Sequence, residues 1–257
     1  RFAAFTRSLL EKIDRIAAQA APDAQRFIKL GAKPEQLEVT GSLKFIVDVN
    51  GQKLQGYFSA IGNSARPVLV AASTREGEEE KVLAAFKKCI AVIPSLLLIL
   101  IPRHPERFAR ASRLSEEIGL TTLKRSDGET VGQNIQVLIG DSMGEMMDYY
   151  SVATIAFVGG SLVETGCQNV LEPAALGVPI LVGPSQYNFA TICKQLEQAG
   201  GLKTVKNETE LADSLITLMA DEQARLKMGE SSRQLVRENQ NALPALMKLV
   251  DSLIQKI

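Results

Sequence analysis

GGSLVETGCQNVLEPAALGVPILVGP, Gly159 to Pro184, follows a short apolar run from Thr154 to Val158, passes through a glycine-rich turn, offers polar residues at the start of a helix, and returns to a second apolar run. Glycines let a backbone approach a phosphate closely, and free N–H groups at a helix N-terminus favour negative charge. Gly159 and Gly160 are therefore candidate binding residues. Glu172, a carboxylate beside the same turn, can accept two hydrogen bonds from a ribose diol. The layout suits a nucleotide sugar.

Working outward, the same alternation repeats along the chain. Val68 to Ala72 precedes a predicted helix from Glu76 to Ile90, Leu96 to Ile101 one from Glu106 to Ile118, and Val137 to Ile139 one from Gly144 to Tyr150. Thr154 to Val158 leads to a helix at Leu171 to Leu176, Ile180 to Val182 to one at Phe189 to Gln198, and Leu202 to Val205 to one at Glu208 to Met219. Apolar strands alternating with amphipathic helices specify a parallel sheet covered on both faces. The expected fold is α/β, a doubly wound Rossmann-like domain assigned to residues 48–257. Residues 1–47 read as a residual, mostly helical segment with one extended piece near Val39, and residues 48–66 as a polar, glycine-containing connector. The helices from Asp221 to Ile257 are expected to lie across the sheet or to reach back toward a partner. The chain opens on Arg1, which predicts an excised domain or a processed N-terminus.

The formal charge is zero, with 29 basic and 29 acidic residues, so nothing overall draws the chain to nucleic acid. The balance hides a polarity. Lys81 to Arg125 holds nine Lys/Arg against three Asp/Glu, and Ser126 to Gly200 eight Asp/Glu against one Lys. Such clusters form solvated helix faces, or else the basic stretch meets an anionic ligand or lipid surface. Cys89, Cys167 and Cys193 lack metal-ligand spacing and read as reduced thiols; with His104 the only histidine, no metal site is expected. The most apolar segment, Cys89 to Pro102, carries Pro94 and Ser95 and falls short of the ~20 apolar residues of a membrane helix. It reads as a helix end, a turn and a strand. No secretory leader is visible.

In an open parallel sheet the ligand lies beyond the carboxyl ends of the strands, where strand order reverses. Three predicted strand exits carry a small polar residue followed three positions later by glutamate: Ser73 with Glu76, Ser142 with Glu145, and Asn169 with Glu172. Each pair reads either as a capping box or as part of an anion-friendly rim. Glu172 is the exception, because Pro173 follows it and disfavours helical backbone at the preceding residue. Placed instead at the cap, glutamate is not preferred, so helix formation explains Glu172 poorly and binding explains it better. The exit after Ile101 reads PRHPER, Pro102 to Arg107. Arg103 there has a fork suited to phosphate or carboxylate, or to a surface ion pair, and His104 is placed to stack on a base or to cap a turn.

Together VTGSLKF, AASTREGEEE, PRHPERF, GDSMGEM, FVGGSLV and QNVLEPAALGVPILVGP resemble the bacterial 3-deoxy-D-manno-octulosonic acid (Kdo) transferases, in order from about Gln25 to Ala190. The resemblance implies the C-terminal, donor-binding Rossmann-like domain of a GT-B glycosyltransferase. It implies that Pro102, Arg103 and His104 hold the CMP phosphate or base region and that Gly144, Glu145 and Met146 line the nucleotide pocket. Asn169, Val170, Leu171 and Glu172 then present backbone amides and the ribose-binding carboxylate, Ser73 and Thr74 face the sugar, and Lys44 steadies transition-state charge. Gln168, in Cys167-Gln168-Asn169, stands where the family often has a histidine and does not titrate. The implied reaction moves Kdo from CMP-Kdo to a lipid A precursor with inversion and without a metal or other cofactor. The acceptor domain, the catalytic glutamate and the membrane-anchoring segment find no match in these residues, so this domain is expected to be soluble and to bind CMP or CMP-Kdo without turning it over. The full enzyme is expected at the cytoplasmic face of the inner membrane. Two other readings stay open: a nucleotide-sugar epimerase or GT-B transferase using a UDP-sugar, and a non-catalytic anion-binding module.

Overall fold

The computed structural model describes residues 2–49 and 56–254. It divides into two compact units, Arg1–Asp48 with Val236–Ile257, and Val49–Leu235. The smaller unit opens with α1 (Phe2–Leu10), β1 (Ile16–Ala18), α2 (Ala21–Leu30) and β2 (Leu37–Val39). β1 and β2 pair in parallel, Ile16 opposite Leu37, over a small core of Leu10, Ile16 and Ala32. Gly31 ends α2 at φ +108°, a left-handed turn that glycine enters without steric cost. The sequence pattern did not single out β1, a strand of three residues.

The larger unit runs through α3 (Gly56–Gly62), β3 (Val68–Thr74), α4 (Glu78–Val92), β4 (Leu97–Pro102), α5 (Phe108–Glu117), β5 (Thr122–Lys124) and β6 (Val137–Ile139). It continues with α6 (Met146–Ser151), β7 (Ile155–Val158), α7 (Leu171–Leu176), β8 (Ile180–Val182), α8 (Ala190–Gln198), β9 (Leu202–Thr204), α9 (Glu208–Ala220) and most of α10 (Glu222–Asn239). The last helix, α11 (Ala242–Ile254), groups with the smaller unit rather than with the domain at 48–257. The expected connector at 48–66 is also partly helical: residues 50–55 lie outside the described residues, but α3 buries Phe58 and Ile61 in the core.

All seven strands of the large sheet are parallel, in the order β5-β6-β4-β3-β7-β8-β9. Its two faces separate cleanly. Leu69, Ala71, Leu98 and Leu100 point into one core with Val82, Phe86 and Leu215, while Val68, Val70, Leu97 and Ile99 point into the other with Phe58, Tyr149 and Tyr150. That alternation along strands apolar on both sides is what helices on both faces demand. β5 at the sheet edge was missed because three residues, two of them polar, carry no apolar run. From β3 the chain moves outward through β4 in one direction and later through β7 in the other. The strand order therefore reverses between β3 and β7, and the crevice at their carboxyl ends is the ligand position.

The basic stretch finds much of its partnership inside the protein. Arg107 and Arg110 pair with Glu76, Glu79 and Glu80, and Lys81 and Lys87 donate to the carbonyls of Leu162 and Ile118. All three cysteines are free and buried. Among the described residues no helix is long and apolar enough to cross a membrane.

Candidate functional site

The switch point is built on a close approach that only glycine permits. A Cβ on Gly159 would sit 2.6 Å from the Thr74 Cα and 2.7 Å from the Ser73 carbonyl oxygen. Backbone atoms there cannot swing aside. Gly159→Ala is expected to destabilise the domain by about 1–3 kcal/mol through overpacking, read as a lowered melting temperature together with weakened ligand binding. Across this contact Ser73 adopts φ +56°, in the left-handed region, at an irregularity in the pairing of β3 with β4 between Ala72 and Thr74. A non-glycine residue held there costs on the order of 1–3 kcal/mol, and such strain gathers at functional sites. The kink puts Ser73 on the wall of the cavity described below.

The Gly159–Gly160 turn does not hold its amides free for a phosphate. Glu78, fully buried, accepts from the N–H groups of Gly160 at 2.6 Å, Ser161 at 3.0 Å and Leu162 at 2.8 Å, and from Arg75 N–H at 3.1 Å. The Gly159 N–H donates to the Ala72 carbonyl. Burial pushes the Glu78 carboxyl up in pKa, and the four amides pull it back. Neither glycine amide is therefore free for a ligand: the Glu78 carboxylate takes that of Gly160 and the Ala72 carbonyl that of Gly159, and both glycines shape the crevice instead.

Ser73 and Glu76 are not a capping box either. α4 begins at Glu78 behind Gly77 at φ +80°, and Glu76 is exposed, 3.5 Å from Arg107. The neighbouring glutamates do the structural work. Buried Glu79 accepts from Thr74 Oγ1 at 3.2 Å and takes the Arg107 guanidinium at two points, 3.1 and 2.7 Å. Thr74 thus faces the interior and not the cavity. The Arg103 N–H donates to the Thr74 carbonyl at 2.9 Å, fixing the β4 exit beside the β3 exit. Arg103 and Pro102 reach the cavity. His104 does not line it; the imidazole lies against the Arg75 guanidinium.

At the β6 exit, Gly144 at φ +83° turns the chain so that Ser142, Met143, Gly144 and Met146 line the cavity. Glu145 turns away from it. Its carboxylate takes a hydrogen bond from Ser142 Oγ and pairs with Arg125 at 2.8 Å, while the Arg125 guanidinium lies 4.3 Å over the Tyr57 ring. This pair likewise caps no backbone N–H.

At the β7 exit, Asn169 Oδ1 accepts from the Leu171 N–H and Asn169 Nδ2 donates to Glu172, both at 3.0 Å. α7 starts at Leu171, so Glu172 is helical ahead of Pro173, contrary to the sequence expectation. The proline is tolerated because the first four N–H groups of a helix have no intrahelical acceptor, and Pro173 occupies one of those positions. Val170 and Leu171 are wholly buried and contribute packing. Burial raises the Glu172 carboxyl in pKa; the Asn169 hydrogen bond and the Arg103 charge both oppose it.

These exits enclose a cavity of about 250 Å³. Of the residues expected at the site, Ser73, Pro102, Arg103, Gly144, Met146, Asn169 and Glu172 line it, while Thr74, His104, Glu145, Gly159, Gly160, Val170 and Leu171 do not. Ser142, expected on the rim, and Gln168 line it too, and Ile101, Phe108, Met143, Tyr149 and Tyr150 join them with no sequence expectation. Phe108, Ser142 and Met143 sit within the seven-residue stretches PRHPERF and GDSMGEM, and that adjacency was the available signal. Lys44 belongs to the smaller unit, in the turn Leu43–Phe45 capped by Ser42.

Fold and site define the class, a Rossmann-like domain of the GT-B glycosyltransferases, and residues 116–235 match the family described as glycosyl transferases group 1. Residues 1–47 match 3-deoxy-D-manno-octulosonic-acid transferase. Curated relatives bearing that name are 34% identical over 98% of this chain in Haemophilus influenzae and 37% identical over 88% of it in Bordetella pertussis. The chain spans 60% and 54% of their lengths. The solved C-terminal CMP-Kdo binding domain of WaaA from Acinetobacter baumannii superposes with a TM-score of 0.65 at 32% identity, covering 67% of this chain and 90% of that one. The chain belongs to the 3-deoxy-D-manno-octulosonic acid transferase family.

Proposed function

We propose that this chain binds CMP-Kdo at the β3/β7 crevice, as the donor side of an enzyme that transfers Kdo to a lipid A precursor. The observation that carries this reading is the meeting of Arg103, Asn169 and Glu172 on one cavity, in a chain whose solved relative is a CMP-Kdo binding domain. Arg103 takes the donor phosphate, Glu172 the ribose hydroxyls, and the loop from Met143 to Met146 the base. Ser73, aimed by its strained backbone, takes the sugar side, and Lys44 keeps its expected part in steadying charge. An acceptor hydroxyl attacks the anomeric carbon with inversion as the bond to the phosphate oxygen breaks. The charge that accumulates on the departing CMP is met by fixed donors already in place, which is the most effective way to stabilise it and needs no metal. The base that takes the acceptor's proton and the surface that holds the lipid lie, in this proposal, outside these residues, at the cytoplasmic face of the inner membrane.

Calorimetric titration with CMP, UMP and inorganic phosphate tests the proposal. CMP is expected to bind tightest. Equal affinity for UMP would favour a uridine-nucleotide enzyme, and equal affinity for phosphate a plain anion-binding module.

A further inference from the structure

Cys167 and Cys193 are wholly buried, and their sulfurs lie 3.7 Å apart. Nothing in the nucleotide reading uses them. Cys193 lies in the first turns of α8, while Cys167 lies on the loop between β7 and α7, directly before the cavity residues Gln168 and Asn169. Around the thiol the Gly166 N–H donates to Ser185 Oγ at 3.1 Å, the Cys167 N–H to the Ser185 carbonyl at 2.8 Å and the Gln168 N–H to the Gly159 carbonyl at 3.0 Å, so a shift of Cys167 is passed directly to Gln168. The hydrogen bond between the sulfurs, aided by the Phe189 N–H, holds the Cys167 thiol below its usual pKa against the effect of burial, and the same bond together with burial pushes Cys193 up. Cys167, on the loop next to the cavity residues, is placed to be the sulfur that attacks, and Cys193, held within α8, the one that resolves. Cys89 stands apart, buried in the core with its thiol facing the Ala212 carbonyl.

We propose that Cys167 and Cys193 form a reversible disulfide, a thiol-oxidation site buried directly behind the cavity residues Gln168 and Asn169. With hydrogen peroxide as the two-electron oxidant, the Cys167 sulfur attacks one peroxide oxygen, the O–O bond breaks, and a sulfenic acid and water form. The Cys193 sulfur then attacks the oxidised sulfur; the S–S bond forms, the S–O bond breaks, and a second water leaves with the remaining thiol proton. Both electrons lost by the sulfurs reduce the peroxide. A disulfide requires the sulfurs to close to about 2.05 Å, so the 3.7 Å gap must be taken up by side-chain rotation and by movement of the loop carrying Gln168 and Asn169.

The test is mild peroxide treatment of the whole chain, followed by intact-mass measurement, mapping of linked peptides and amide hydrogen exchange. The expected product is two hydrogen masses lighter, joins the peptides of Cys167 and Cys193, alters exchange at Gln168 to Glu172, and reverts with dithiothreitol. Cys89→Ala should oxidise in the same way, and Cys193→Ala should stop at sulfenic acid on Cys167. Should Cys193→Ala fold poorly, peptide mapping of the unaltered chain still identifies the linkage. Absence of that linkage, or a linkage that leaves exchange at Gln168 to Glu172 unchanged, overturns the proposal. If the cavity takes CMP as proposed above, the oxidised protein binds it at least threefold more weakly. A reduced protein that fails to bind CMP counts against the nucleotide reading alone, because mass and exchange decide the disulfide without it.

Discussion

Replacing Glu78 by alanine is expected to lower the unfolding free energy by about 3–5 kcal/mol, because four backbone N–H donors lose their acceptor. The carboxylate is fully buried and serves four backbone donors, three of them in consecutive residues of the glycine turn. Deleting it leaves those N–H groups without acceptors in the interior, at about 1–3 kcal/mol each before any water enters the space. The loss is smaller than the full sum because the vacated volume is polar and admits water. For a domain of this size the melting temperature should fall by about 10–15 °C. Glu78→Gln keeps one oxygen and its pair of bonds, but turns an NH2 toward two other N–H donors. It should fall between wild type and alanine. Denaturant titration of the three proteins checks the order. An unchanged midpoint for Glu78→Ala would show that the turn holds itself without the carboxylate.

Glu78 also shows where sequence reading stops. The alternation of apolar strands and amphipathic helices is local, so it located nearly every strand of the sheet and both faces of its core. The rim was half legible. Arg103, Asn169 and Glu172 could be found because polar groups at strand exits have few structural reasons to be there. Glu78 and Glu79 sit inside an acidic run, where nothing local marks a buried carboxylate, yet both are buried. Besides one local donor each, Glu78 is served by residues 82 to 84 positions away and Glu79 by Arg107, 28 positions away. Glycine in the turn suggested free amides, but whether an amide is free depends on what folds onto it. Glu145 and His104 stay off the cavity wall for the same cause: Arg125 and Arg75, on other elements, engage them.

Arg103→Ala is expected to weaken CMP binding by about 10–100-fold, the equivalent of one charge-assisted hydrogen bond of about 1.5–3 kcal/mol. Because Arg103 is exposed at the rim, the loss should shrink as salt is raised. Glu172→Gln is expected to cost less, about tenfold, and selectively: it should erase the preference of the wild type for CMP over 2′-deoxy-CMP, since a carboxylate that accepts from a diol is what distinguishes them. The two residues are linked through pH. Only the ionised Glu172 accepts from both hydroxyls, so its contribution is complete at neutral pH and is lost as pH falls through its pKa. Burial raises that pKa above the ordinary 4.5, so the loss begins at a higher pH than for an exposed glutamate. The phosphate of CMP titrates in the same region, near pH 6, and the ratio of wild-type to Glu172→Gln affinity at each pH cancels it. The positive charge of Arg103 holds the Glu172 pKa down, and its removal should move the acid limb of the ratio to higher pH. A limb that stays in place in Arg103→Ala would mean that the two side chains do not share the cavity electrostatically, whatever each does alone.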